Sequence, residues 1–316
     1  MPHADRVPRE QAIRGDPGCK MAALPIVNPR MTGRRNSLLP NSDYGASGRQ
    51  TWRQYALDTP LGRALAKPIR HCPTLIRSEG HCLFAPRRDR GRYQHEFEER
   101  TMAWLRQRSW TGKHIVDVGA AVGELTLSFS KQVGPKGAVI AIEPSPRNRM
   151  YLHLNLALNR ISNVEVIAAA AGASEGWTGF NLTESSDSHS FYDHPLITTR
   201  RRIVVRCIAL DSLHEKCDLV KVDVEGAELD VLQGATRIVA DGIPLIVELA
   251  PACQIAAGRQ PRDLIEFLLS VGYSITVLDE CYNRVLTGDA MLKELDIRKL
   301  PPNWYANLVC VRGHNV

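Results

Sequence analysis

The chain has 316 residues, 44% of them hydrophobic, enough for one large α/β domain and an appendage. Its net charge of +6 is uneven: residues 1–100 hold 18 Lys and Arg against 10 Asp and Glu, the remainder 22 against 24. A near-neutral remainder argues against a nucleic-acid-binding surface there. No apolar run approaches the ~20 residues that span a bilayer.

Residues 1–50 are rich in Pro, Gly, Arg, Ser and Asn without apolar periodicity, and are expected to form a disordered basic arm. The first residues lack the charged-then-apolar layout of a signal peptide, and Met21 is a candidate alternative start. Eight cysteines without a Cys-x-x-Cys pair or a Cys/His cluster at zinc spacing suit a reduced compartment. A cytoplasmic protein is the expectation. Residues 51–92 are expected to hold a short helix over Trp52–Ile69 and a strand pair over Thr74–Arg87, turning at Glu79-Gly80. An amphipathic helix over Tyr93–Arg108 opens the main domain, 93–316.

From there strand and helix alternate. Apolar runs predict strands at 114–118, 138–143, 163–168, 218–223 and 244–249, with helices near 123–133, 146–159, 226–240 and 261–271. Pro261 opens the last helix and Gly272 stops it. Tyr273–Asp279 and Tyr305–Arg312 complete the sheet. Continuous apolar strands with helices between them imply a parallel sheet covered on both faces. Gly172–Cys207 reads as a long polar segment able to cover a substrate, with part of it, around Arg202–Ile208, a hairpin strand.

Ile115-Val-Asp-Val-Gly-Ala-Ala-Val-Gly123 carries the most information. An apolar strand runs into Asp117, and Gly119 and Gly123 follow at Asp-x-Gly-x-x-x-Gly spacing. A second strand ends in Glu143. Glycines let backbone approach a ligand, and a carboxylate at the next strand tip accepts hydrogen bonds from ribose hydroxyls. The spacing is not the Gly-x-Gly-x-x-Gly that tightens onto a pyrophosphate, so a nicotinamide oxidoreductase is disfavoured. The looser turn suits S-adenosylmethionine, which has no phosphate. A strand-to-helix turn without a ligand is the plainer alternative.

Five ordered segments resemble the FkbM family of S-adenosylmethionine-dependent methyltransferases: Asp117–Gly123, Val133–Pro144, Asn163–Ile167, Leu210–Leu213 and Asp218–Leu229. The last, with Asp223, Glu225, Gly226 and Glu228, is the most recognisable. One departure is Ala121, where the family commonly has Asn. The resemblance implies a class I methyltransferase fold: a Rossmann-like, doubly wound, mostly parallel sheet with one antiparallel strand near the C-terminus. It also implies O-methylation of a hydroxyl on a small molecule such as a polyketide or a sugar.

The candidate cofactor residues are Asp117, Gly119, Ala120, Gly123, Glu143, Ala169 and Ala170. The catalytic candidates are Asp223, Glu225 and His189, with His194 as a further loop histidine. An acid at a helix start is also stabilised by free amides, so Glu225 has a structural reading as well. Asp223 and Glu248 end neighbouring strands, which leaves open a metal-assisted reaction on Mg²⁺. A non-catalytic scaffold of the same fold is the other alternative.

Overall fold

A computed structural model of the chain describes residues 73–78, 80–91, 98–213, 216–287 and 300–313. The expected arm at 1–50 and helix at 52–69 lie outside the described residues, as does the start of the helix expected at 93–108.

The first described elements are an antiparallel pair, β1 (Pro73–Ser78) and β2 (His81–Pro86), turning at the expected place. Helix α1 (Glu99–Arg106) leads into the alternating core. There follow β3 (His114–Val118), α2 (Glu124–Val133), β4 (Ala138–Ile142), α3 (Pro146–Leu158) and β5 (Val164–Ile167). A three-stranded insert, β6 (Ala170–Ala171), β7 (Gly176–Thr183) and β8 (Thr199–Ile208), precedes β9 (Leu219–Val222). Then come α4 (Glu228–Gln233), α5 (Thr236–Ala240), β10 (Leu245–Leu249), α6 (Pro251–Ala256) and α7 (Pro261–Ser270). Strands β11 (Ser274–Asp279), β12 (Arg284–Thr287) and β13 (Ala306–Val311) finish the chain.

The main sheet has the order β12-β11-β13-β10-β9-β3-β4-β5. Strands β9, β3, β4 and β5 run parallel, as do β9 and β10, and β13 lies antiparallel between β10 and β11. This is the class I methyltransferase arrangement. A second antiparallel strand, β12, pairs with β11 at the edge, one more than the sequence suggested. Both faces are covered. Val116, Val118, Val220 and Val247 pack against Val231, Ile238 and Leu264 on one side. Ile115, Val139, Leu219 and Ile246 meet Leu105 and Phe129 on the other.

Two expectations change. The helix expected at 226–240 is two helices, because the chain turns at Gly234-Ala235. Its start is also later: Glu225 and Gly226 both have positive φ (54° and 100°), so no helix can begin there. The segment 172–207 is mainly the β7–β8 hairpin, with only 184–198 left between its strands. Phe180, Val205 and the half-buried Ile203 face inward, while Trp177, Val204 and Arg206 face solvent. The outward face breaks the apolar alternation by which a strand is recognised. Small polar side chains tie β2 to the core. Asn155 accepts from the Phe84 N–H (2.6 Å) and donates to its carbonyl (3.0 Å), and Asn159 does the same for Cys82.

The loop after β3 touches the end of β9 directly. A Cβ on Gly119 (φ 88°) would lie 1.7 Å from the Asp223 carbonyl oxygen. Gly258 also has a positive φ (77°), but a Cβ there meets nothing within 4 Å. Gly119→Ala should therefore cost about 3–5 kcal/mol, against about 1–2 kcal/mol for Gly258→Ala, where only φ matters. Urea unfolding of both variants measures the difference. Equal losses would mean that φ alone requires the glycine.

Candidate active site

At the carboxyl ends of β3, β4, β5 and β9 lies a cleft with about 460 Å³ of empty space, part of it open to solvent. Gly119 and Ala121 line it from the loop after β3, Glu143 from the tip of β4, and Ala169–Ala171 from the chain leaving β5. Ser186, Asp187, His189 and Phe191, from the connection between β7 and β8, line it from the insert. That connection is anchored: the Asn148 amide donates to the Ser186 carbonyl (2.5 Å), and the Ser186 hydroxyl to Asp89 (2.8 Å).

Glu143 is 4% exposed and both its oxygens already accept backbone hydrogen bonds. Oε2 takes the Ala121 N–H at 2.8 Å and Oε1 the Ser145 N–H at 2.7 Å. The same carboxylate thus holds the loop after β3, starts α3 and lines the cleft. Oε1 also accepts from the Asn148 amide at 3.4 Å, so Oε2 is the oxygen that keeps a further lone pair for a ligand hydroxyl. Burial outweighs these hydrogen bonds and raises its pKa from 4.5 to about 7. Ala121 sits at φ 48°, in the left-handed region that Asn tolerates and that costs alanine about 1–2 kcal/mol.

The other cofactor candidates divide. Gly119, Ala169 and Ala170 line the cleft. Asp117 does not: it is buried behind the loop and accepts a 2.5 Å hydrogen bond from Thr126 of α2. Desolvation raises its pKa to about 6. Ala120 is packed in the apolar cluster beneath. Gly123 is there for space and backbone, since a Cβ would lie 2.4 Å from Leu152 Cδ1 at its φ of 96°.

A second pocket, of about 910 Å³, adjoins the cleft, and Asp187 and Asp223 line both. Glu98, Glu225, Glu248, His194 and Cys253 also line it. Asp223, Glu225 and Glu248 each bring a carboxylate oxygen within 4.8 Å of the other two. Cys253 Sγ donates to Glu225 Oε2 at 3.1 Å, and His194 Nε2 lies 3.8 Å from it. His189 lines the cleft rather than this pocket, and its Nδ1 accepts the Thr183 N–H at 3.1 Å. Glu228 points back into its own turn, accepting from the N–H groups of Val224 and Gly226.

Beneath the acids lies Lys221, fully buried in mid-strand. Its Nζ is 3.2 Å from Asp223 Oδ2 and donates to Asn307 Oδ1 at 3.0 Å. Burial alone lowers its pKa, but the charges of Asp223, Glu98 and Glu248 more than reverse this, so the ammonium persists. Burial raises Glu98 to about 7 and Glu225 to about 8, and lifts Glu248 well above the usual carboxylate range. Lys221, Glu98 and Asp187 were missed from sequence. A lysine inside the apolar run Leu219-Val-Lys-Val222 was the available signal for the first.

Fold and site together define a class I methyltransferase domain. The Methyltransferase FkbM domain model matches residues 117–275, and the chain belongs to that family. Methyltransferase 1 of Beauveria bassiana is 27% identical over 144 residues, covering 38% of this chain and 57% of that protein. The hexuronic acid methyltransferase AglP of Haloferax volcanii is 34% identical over 101 residues, covering 28% of this chain and 40% of its own length. The chain thus spans 57% of the length of the first curated relative and 40% of the second. A crystal structure of a methyltransferase FkbM from Methylobacillus flagellatus is similar at a TM-score of 0.41 and 20% identity, over 64% of this chain and 44% of that one. No helix among the described residues is long and apolar enough to cross a membrane.

The position of Glu143 gives a pH test. A ribose diol held by Glu143 would donate to the carboxylate, so cofactor binding below its pKa of about 7 would release a proton. Affinity for S-adenosylmethionine should rise with pH, by up to about tenfold per unit below that pKa, and level off above it. Glu143→Gln should weaken binding and flatten the profile. Calorimetry across pH 5.5 to 8.5 checks both, and an unchanged profile in the variant would remove Glu143 from the cofactor site.

Proposed function

We propose that the chain is an S-adenosylmethionine-dependent O-methyltransferase acting on a small molecule of the polyketide or sugar kind. One observation carries this reading: two cavities meet at Asp223, one lined by the glycine loop and Glu143, the other by acids. The cofactor occupies the first and the acceptor the second, with the methyl group at their junction. Residues 93–316 form the catalytic domain on this reading.

In the reaction the acceptor oxygen attacks the methyl carbon in line with the departing sulfur. The C–O bond forms as the C–S bond breaks, and the electron pair stays on sulfur, turning the sulfonium into a neutral thioether. The hydroxyl proton passes to a carboxylate, for which Asp223 is best situated because it leaves the end of β9 at the junction and, like Asp187, lines both cavities. Glu225 and His194 lie beside the acceptor, and His189 beside the cofactor. Holding oxygen and methyl in line supplies much of the acceleration.

The acceptor pocket also limits the substrate. Among its described lining residues are five carboxylates and no lysine or arginine. Hydroxyls and ammonium groups on the acceptor can donate to these acids, whereas a free carboxylate or phosphate finds no lysine or arginine among these lining residues to pair with. A neutral polyol or amino sugar fits better than a uronic acid.

Asp223→Asn should lower kcat about 10²–10⁴-fold while leaving cofactor affinity within a few-fold. Turnover on an accepted sugar or polyketide alcohol, with cofactor binding measured alongside, tests this. Turnover close to that of the unaltered chain would shift the base to another group.

A further inference from the structure

We propose that Asp223, Glu225 and Glu248 hold a hard divalent cation in the acceptor pocket. The inference deepens the methyltransferase reading, but the site stands on its own geometry. The three carboxylates come from two neighbouring strand ends and the turn after one of them, and one oxygen of each lies within 4.8 Å of the others. That spacing matches oxygens around a single ion at ordinary oxygen–metal distances.

The second observation is an orphan. Glu248 is 8% exposed, and its Oε2 is buried with no hydrogen-bond partner. Asn307 stands opposite Glu248 across β10 and β13, but its groups are spent elsewhere. Its amide nitrogen donates to Glu98 and Thr101, and its oxygen accepts from Lys221. Lys221 itself is directed at Asp223 and Asn307. A buried carboxylate oxygen without a donor is costly unless something positive meets it. A cation among the three acids meets it and offsets their mutual repulsion.

The backbone around the site is braced for this shape. Glu225 is held at φ 54°, an unfavourable conformation for a non-glycine residue. The Ser190 hydroxyl donates to the Glu225 carbonyl (2.8 Å), and Glu228 accepts from the N–H groups on both sides of Glu225, at Val224 and Gly226. The strained turn thereby aims Glu225 at the pocket. An all-oxygen donor set selects Mg²⁺, Mn²⁺ or Ca²⁺ over softer ions. The alternative trio of His194, Glu225 and Cys253 would favour Zn²⁺, but Cys253 Sγ is engaged there as a hydrogen-bond donor to Glu225 Oε2. A cation at the acids would leave positions for two oxygens of a polyol acceptor and would acidify the one facing the methyl group.

The test uses the full chain freed of metal with EDTA and titrated with MnCl₂, with free Mn²⁺ read by electron paramagnetic resonance. One saturable site per chain with Kd below about 1 mM is expected. Glu248→Gln and Glu225→Gln should each weaken it about tenfold or more, with S-adenosylmethionine affinity within about twofold of the unaltered chain. Thermal unfolding of each variant establishes that it is folded. Absence of a saturable site, a site untouched by both substitutions in folded protein, or binding of Zn²⁺ without Mn²⁺ would overturn the proposal. Mn²⁺ bound by a chain that does not take the cofactor would support it and refute the methyltransferase reading instead.

Discussion

The contact between Gly119 and the Asp223 carbonyl sets the geometry of everything else. Parallel strands β3 and β9 are neighbours, and their outgoing loops must pass one another within van der Waals distance. Because position 119 has no side chain, the loop after β3 lies directly on the strand end that presents Asp223. The two cavities consequently lie on either side of one shared wall that includes Asp223. On the proposed reading a methyl group crosses from one to the other, and a thicker wall would separate the reactants.

Electrostatics divides the same wall. On the cleft side a single carboxylate, Glu143, is embedded in backbone N–H groups that hold it in place. On the acceptor side several acids face each other with one lysine beneath them. The first environment fixes a carboxylate whose free lone pair can accept from a hydroxyl. The second concentrates negative potential, which draws in positive or hydrogen-bond-donating partners. The insert β6–β8 closes over the boundary: Asp187, on its connection, lines both cavities.

Much of this was legible in the chain. The glycine spacing, the strand tip at Glu143 and the acids at Asp223, Glu225 and Glu248 are local signals, each set by a few adjacent residues. What escaped depended on long-range packing or side-chain direction. Asp117 ends a strand that is buried on both faces, so no alternation tells which way it points, and it turns to Thr126. Glu98 reaches the acid cluster only because Asn307, 209 residues later, brings β13 beside it. The β7–β8 hairpin was half hidden because its solvent face carries Trp177 and Val204 where polar residues would reveal the period. The late start of the helix expected at 226–240 follows from positive φ at two consecutive residues, Glu225 and Gly226, only one of them a glycine.

Lys221 has a consequence outside catalysis. Its amine is sealed from water and remains an ammonium, the form that does not attack electrophiles. Acylating reagents that modify surface lysines within minutes will reach this one only when the sheet itself opens. Its modification rate, read by mass spectrometry on the peptide spanning β9, is therefore a built-in clock for global opening of the domain.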